Sequence, residues 1–120
     1  MTSRCTIKLP TYNCEVIFIV TDDVQKEAVK VYKKHDALDH VFLGSAEGAV
    51  FAFDIDKYYY LIAQEYITHN TIAHELHHIV MTISKDRGIY DEEAQCWTSG
   101  HIAQEIYKFL EKKKYKVKHG

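Results

Sequence analysis

Five consecutive residues, His74-Glu75-Leu76-His77-His78, carry the side chains best suited to chemistry. His74 and His78 are four apart, so on a helix they stand one turn apart on the same face, where two neutral imidazoles reach one metal ion. Glu75 is rotated from His74 by about 100°, near enough to touch a water on that metal without binding the metal itself. Two rings and a carboxylate at this spacing suit a zinc ion that activates water, with the carboxylate taking the proton. His77 offers another pairing with His74, three residues apart. Only His74 with His78 leaves Glu75 in the base position, so His77 is read as lying beside the metal or in solvent. Histidines four apart also arise by chance in a chain with eight of them, as surface or core filler. Three features favour a metal site here: the place of Glu75, an apolar stripe elsewhere on the helix that frees the rings from core duty, and the acids Asp91, Glu92 and Glu93 just downstream.

The helix that positions these groups is predicted from about 70 to 87, with Asn70 or Thr68 capping its start and Gly88 suited to a left-handed stop. Ile72, Leu76, Ile79, Val80 and Ile83 form its sheet-facing stripe, and His74 and His78 point roughly opposite. The rings then need a second covering element. A last helix, from about 91 to 111, can supply it, with Ile102, Ile106, Phe109 and Leu110 as its apolar face. Upstream, Thr6–Leu9 and Tyr12–Val20 read as strands on either side of Pro10, the second an interior strand by its continuous β-branched run. Thr21-Asp22-Asp23 caps a helix in which Val24, Ala28, Val31 and Tyr32 recur up to about Lys34. Residues 35–47 read as a loop. Ala49–Phe53 and Tyr58–Ala63 read as strands joined by Asp54-Ile55-Asp56-Lys57, a link of hairpin length. Strand, strand, helix, strand, strand, helix, helix is an α+β layout, and 120 residues make one domain, 1–120.

A formal net charge of −2 gives no field favouring nucleic acid or an anionic membrane, and neither is expected as a partner. Lys112, Lys113, Lys114, Lys116 and Lys118 make residues 112–120 a basic tail. It is read as a solvated helix end whose cations suit the macrodipole, with a tail for nucleic acid or an acidic partner as the other reading. Three cysteines make no disulfide framework, although Cys5 and Cys14 facing each other across a hairpin would leave room for one bridge. The first residues lack the apolar core of a signal peptide, and Val16–Val20 is far too short to cross a bilayer. The expected compartment is a reducing cytoplasm.

His74-Glu75-Leu76-His77-His78 followed by Asp91-Glu92-Glu93-Ala94-Gln95-Cys96-Trp97 resembles the zincin metallopeptidases of the gluzincin type, most of all the short zincin-like peptidases of phages and mobile elements. The resemblance covers about residues 49–110. It implies a minimal zincin-like fold: a small, mostly antiparallel sheet packed on a helix and on the motif helix, then a C-terminal helix carrying a third ligand. In that group the ligand is a glutamate followed, three and four residues later, by a small residue and an aromatic, which maps it to Glu93 with Cys96 and Trp97 behind it. Helical phase instead favours Glu92, in register with Cys96, Ala103, Ile106 and Leu110. Asp91 reads as an N-cap. The metzincin extension is absent, since Met81 and Ser84 stand where its glycine and third histidine would be.

The resemblance implies Zn²⁺ on His74, His78 and Glu93, with Glu75 as general base in the hydrolysis of peptide bonds, in a bacterial or phage-infected cytoplasm. It implies a protein or peptide substrate laid along a sheet-edge strand, Tyr58–Ala63, where Tyr58, Tyr59 and Tyr60 line subsites or alternate between core and solvent. Tyr90, His101 and Tyr107 are candidates to hold the oxyanion, packing or surface being their ordinary role; His69 has no assigned role. The alternative is a catalytically inactive interaction module that keeps the fold with a structural or vestigial zinc. A helical adaptor with coincidental histidines is the third reading, and it requires no metal.

Overall fold

The computed structural model describes residues 2–37, 48–53 and 57–119. The chain runs β1 (Ser3–Leu9), β2 (Cys14–Thr21), α1 (Val24–Lys34), β3 (Gly48–Phe53), β4 (Tyr58–Gln64), α2 (His69–Arg87) and α3 (Glu92–Lys112), an α+β architecture. Residues 38–47 of the predicted 35–47 loop and residues 54–56 of the predicted 54–57 link lie outside the described residues.

The four strands form one sheet in the order β1-β2-β4-β3. β1 and β2 are antiparallel, as are β3 and β4, while β2 and β4 run parallel. β2 is interior for the reason its composition predicts: both of its faces are covered. Val16, Phe18 and Val20 join β4's Tyr59, Leu61 and Ala63 in the core beneath α2 and α3. Ile17 and Ile19 join Tyr60 and Ile62 on the opposite face, under Val24, Ala28 and Val31 of α1. The sheet therefore sits between α1 and the α2–α3 pair. Phe18 and Phe109 meet edge to face with centroids 5.8 Å apart, tying α3 to the sheet centre.

Local chemistry sets the helix ends. The Asp23 carboxylate accepts from the Lys26 amide, the Thr68 hydroxyl from the Thr71 amide, and the Asp91 carboxylate from the Ala94 amide. Gly88 ends α2 at φ 68°, a left-handed position that suits glycine. Between β1 and β2, a turn over Pro10–Tyr12 ends on Asn13 at φ 52°.

Three expectations change. Cys5 lies opposite Phe18 and Cys14 opposite Leu9, so the hairpin register does not pair the cysteines; both are free. Tyr58–Ala63 belongs to β4, which is bonded on both sides and has no open edge; β3 is the edge strand beside it. The basic tail also folds back. The Tyr115 hydroxyl donates to Ser3 Oγ at 3.1 Å, the Lys118 amide donates to the Ile67 carbonyl, and the His69 amide donates to the Lys118 carbonyl. That last bond satisfies one of the amides left unpaired in the first turn of α2.

Candidate functional site

α2 buries Ile72, Leu76, Ile79 and Ile83 against the sheet, which fixes the direction of every other side chain on it. One flank, with Glu75, His78 and Thr82, borders β3 and α1. The other, with Ala73, His77, Val80 and Met81, borders α3.

On the first flank the exposed rings of His74 and His78 converge, with their Nε2 atoms 3.2 Å apart and the rings nearly perpendicular at 78°. Between neutral imidazoles this is a hydrogen bond, one ring donating its Nε2–H to the bare Nε2 of the other. Two nitrogens on one tetrahedral zinc, each about 2.0–2.1 Å from it, stand about 3.3 Å apart. The pair is thus spaced as two zinc ligands would be. Glu75 Oε1 lies 3.7 Å from His74 Nε2. Unlike the rings, Glu75 is 9 % exposed. Burial pushes its carboxyl above the ordinary glutamate value, and the nearby His74 and His78 pull against that rise. Its side chain lies against Gly48, the first residue of β3.

Glu75 and His78 also border a cavity of about 390 Å³ that continues between β3 and α1, walled by Val24, Ala28, Tyr32, Val50 and Phe51. The cavity is mostly apolar, with the carboxylate and imidazole at one side, a layout common to small-molecule and side-chain sites.

The structure does not bring the expected third ligand to the rings. Glu93 is exposed on α3 and borders a groove with Cys96, Trp97, Gly100 and His101. Glu92 faces the second flank, in a groove with His77, Val80, Met81 and Cys96. Among the described residues, no group of three or more His, Cys, Asp or Glu side chains is placed to hold a metal ion. His74 and His78 fit two positions of a zinc site, and no described side chain fills a third. The cause lies in packing: α3 covers the His77 flank of α2, not the face of His74 and His78 as the helical wheel suggested.

The other candidates also lie elsewhere. Tyr90 is exposed, and His101 shares the grooves beside Trp97. The Tyr107 hydroxyl and His69 Nδ1 are hydrogen-bonded at 2.9 Å, and the His119 ring stands 5.4 Å from His69. Tyr59 and Tyr60 are buried on opposite sheet faces; Tyr59 donates to Asp86 at 2.8 Å, and the Tyr60 hydroxyl bonds His35 Nε2 at 2.8 Å. Sequence reading passed over Gly48 and the α1 wall of the cavity. A glycine opening a strand is the signal that pointed to the first, since it often marks close approach of another group. Compared with protein-family models, curated proteins and solved structures, the chain shows no match.

Proposed function

We propose that this protein is a zinc-dependent hydrolase of peptide bonds in which His74 and His78 bind the metal and Glu75 is the general base. The observation that carries this reading is the convergence of two Nε2 atoms at 3.2 Å beside a buried carboxylate at the edge of a cavity. A zinc ion in such a place supplies Lewis acidity and a water of lowered pKa. Glu75 would take a proton from that water as it attacks the carbonyl carbon and return it to the leaving amine. β3, an edge strand of the sheet among the described residues, would offer its backbone to an extended substrate strand, a mode that gives affinity with little sequence selection.

A second reading, a non-catalytic interaction module with a structural or vestigial zinc, is favoured by one observation: the described residues supply two ring ligands where a catalytic zinc commonly has three protein ligands. Zinc content and cleavage of a mixed peptide pool, measured on wild type and Glu75→Gln, separate the two. The expected result is bound zinc in both and a loss of cleavage on the order of 10²–10⁴-fold in the variant. Zinc in both with no cleavage by wild type supports the module. No zinc in either protein would leave the histidines coincidental.

A further inference from the structure

We infer that Gly48 is a positioning residue for Glu75: the side chain it lacks is the space in which the Glu75 side chain lies. The functional meaning of this contact rests on Glu75 being the general base. Gly48 opens β3, paired with Ala63 of β4. Its backbone does not call for glycine, since the glycine with positive φ among the described residues is Gly88. Space does call for it. A Cβ on Gly48 would fall 2.8 Å from Glu75 Cγ, 3.0 Å from Glu75 Cδ and 3.2 Å from the Ile62 carbonyl oxygen. Carbon atoms at rest stand about 3.5–4.0 Å apart, so the first two contacts cannot be held.

Neither backbone can easily retreat. Gly48 is held in the ladder with β4, and α2 is pinned by the buried Ile72, Leu76 and Ile79. The Glu75 side chain must therefore leave its slot, and its carboxylate moves away from the place it holds beside His74. The three nearest atoms belong to Glu75 and Ile62 and none to either ring, so the rings need not move. Gly100 is the internal contrast: a Cβ there meets nothing within 4 Å.

The test compares wild type, Gly48→Ala, Glu75→Ala and the double variant, with Gly100→Ala as the control for an added methyl. Gly48→Ala is expected to lower the melting temperature by about 5 °C, as overpacking does, while Gly100→Ala leaves it unchanged or raises it. Zinc affinity should stay within about twofold, and kcat for a cleaved peptide should fall about tenfold or more, as when a reacting group is misplaced. Glu75→Ala removes both carbons that the new methyl would meet, Cγ and Cδ. In that background, read by melting temperature because the general base is gone, Gly48→Ala should cost clearly less than in wild type, the contact with the Ile62 carbonyl being all that remains of the three. Additive effects in the cycle, or a Gly48→Ala protein that melts and cleaves like Gly100→Ala, would overturn the inference. If wild type cleaves no peptide, the hydrolase reading falls, and the melting cycle alone still decides whether Gly48 holds the Glu75 side chain in place.

Discussion

On one flank of α2, His74 and His78 converge and Glu75 is buried against Gly48 at the edge of an apolar cavity. On the other, His77 borders a groove with Glu92 and Cys96, the acidic start of α3. The residue types are nearly the same, yet the first flank joins two nitrogens and a desolvated carboxylate, whereas the second leaves His77, Glu92 and Cys96 all exposed. Ring spacing comes from a single helix and is fixed by its rise. A third ligand must come from another element, and its arrival depends on which flank that element covers. The histidine pair and the downstream acids, adjacent in the sequence argument, are thus separated by the thickness of α2.

The two flanks differ most in what their rings do for a metal ion. His74→Ala or His78→Ala is expected to weaken zinc binding on the order of 100-fold or more, exceeding the roughly 10–100-fold typical of groups that only support a ligand. His77→Ala should change it by less than about threefold, since its ring belongs to the other flank. Isothermal titration of the three variants checks this, and an effect of His77→Ala equal to that of His78→Ala would erase the distinction between flanks.

A smaller effect concerns the buried carboxyl. Because the folded pKa of Glu75 is raised, the native metal-free chain holds its proton to higher pH than the unfolded chain does. Stability from this group is therefore lost as pH rises from the ordinary glutamate range through the raised value, and does not change further above it. Urea melts of metal-free wild type minus Glu75→Gln should show this falling difference, with the variant the more stable at neutral pH. A flat difference curve would mean that Glu75 is solvated.

The smallest expected effect sharpens the question of the third ligand. With Glu93 on the outer face of α3 and Glu92 on the His77 flank, Glu93→Gln and Glu92→Gln should each leave zinc affinity within about threefold. A loss of tenfold or more in Glu93→Gln alone would establish the ligand that the resemblance implies, and would require the start of α3 to reach the other side of α2.

Much of the fold was legible from short-range signals. The interior character of Val16–Val20, the Asp91 cap and the stop at Gly88 follow from side chains acting within a few residues and are found in place; of the caps offered by Thr21-Asp22-Asp23 and by Asn70 or Thr68, the structure uses Asp23 and Thr68, and Asn70 lies inside α2. The pairing of strands was less legible. The hairpin-length link points to β3 beside β4, but nothing in the residues of β4 says that β2 occupies its other side, in parallel. The tail was read as solvated because its lysines dominate its composition; its pairing is made by backbone groups and by Tyr115, which a charge count overlooks.

Local chemistry is written in consecutive residues: a helix of fixed period sets two imidazoles one turn apart with a carboxylate beside them. Their surroundings come from long-range packing. It placed Gly48 against Glu75, opened the cavity towards α1, put β3 at an edge of the sheet and set α3 on the far flank. Helical spacing is a property of consecutive bonds, whereas the company a side chain keeps depends on how distant apolar faces are buried together, and many arrangements satisfy the same local pattern.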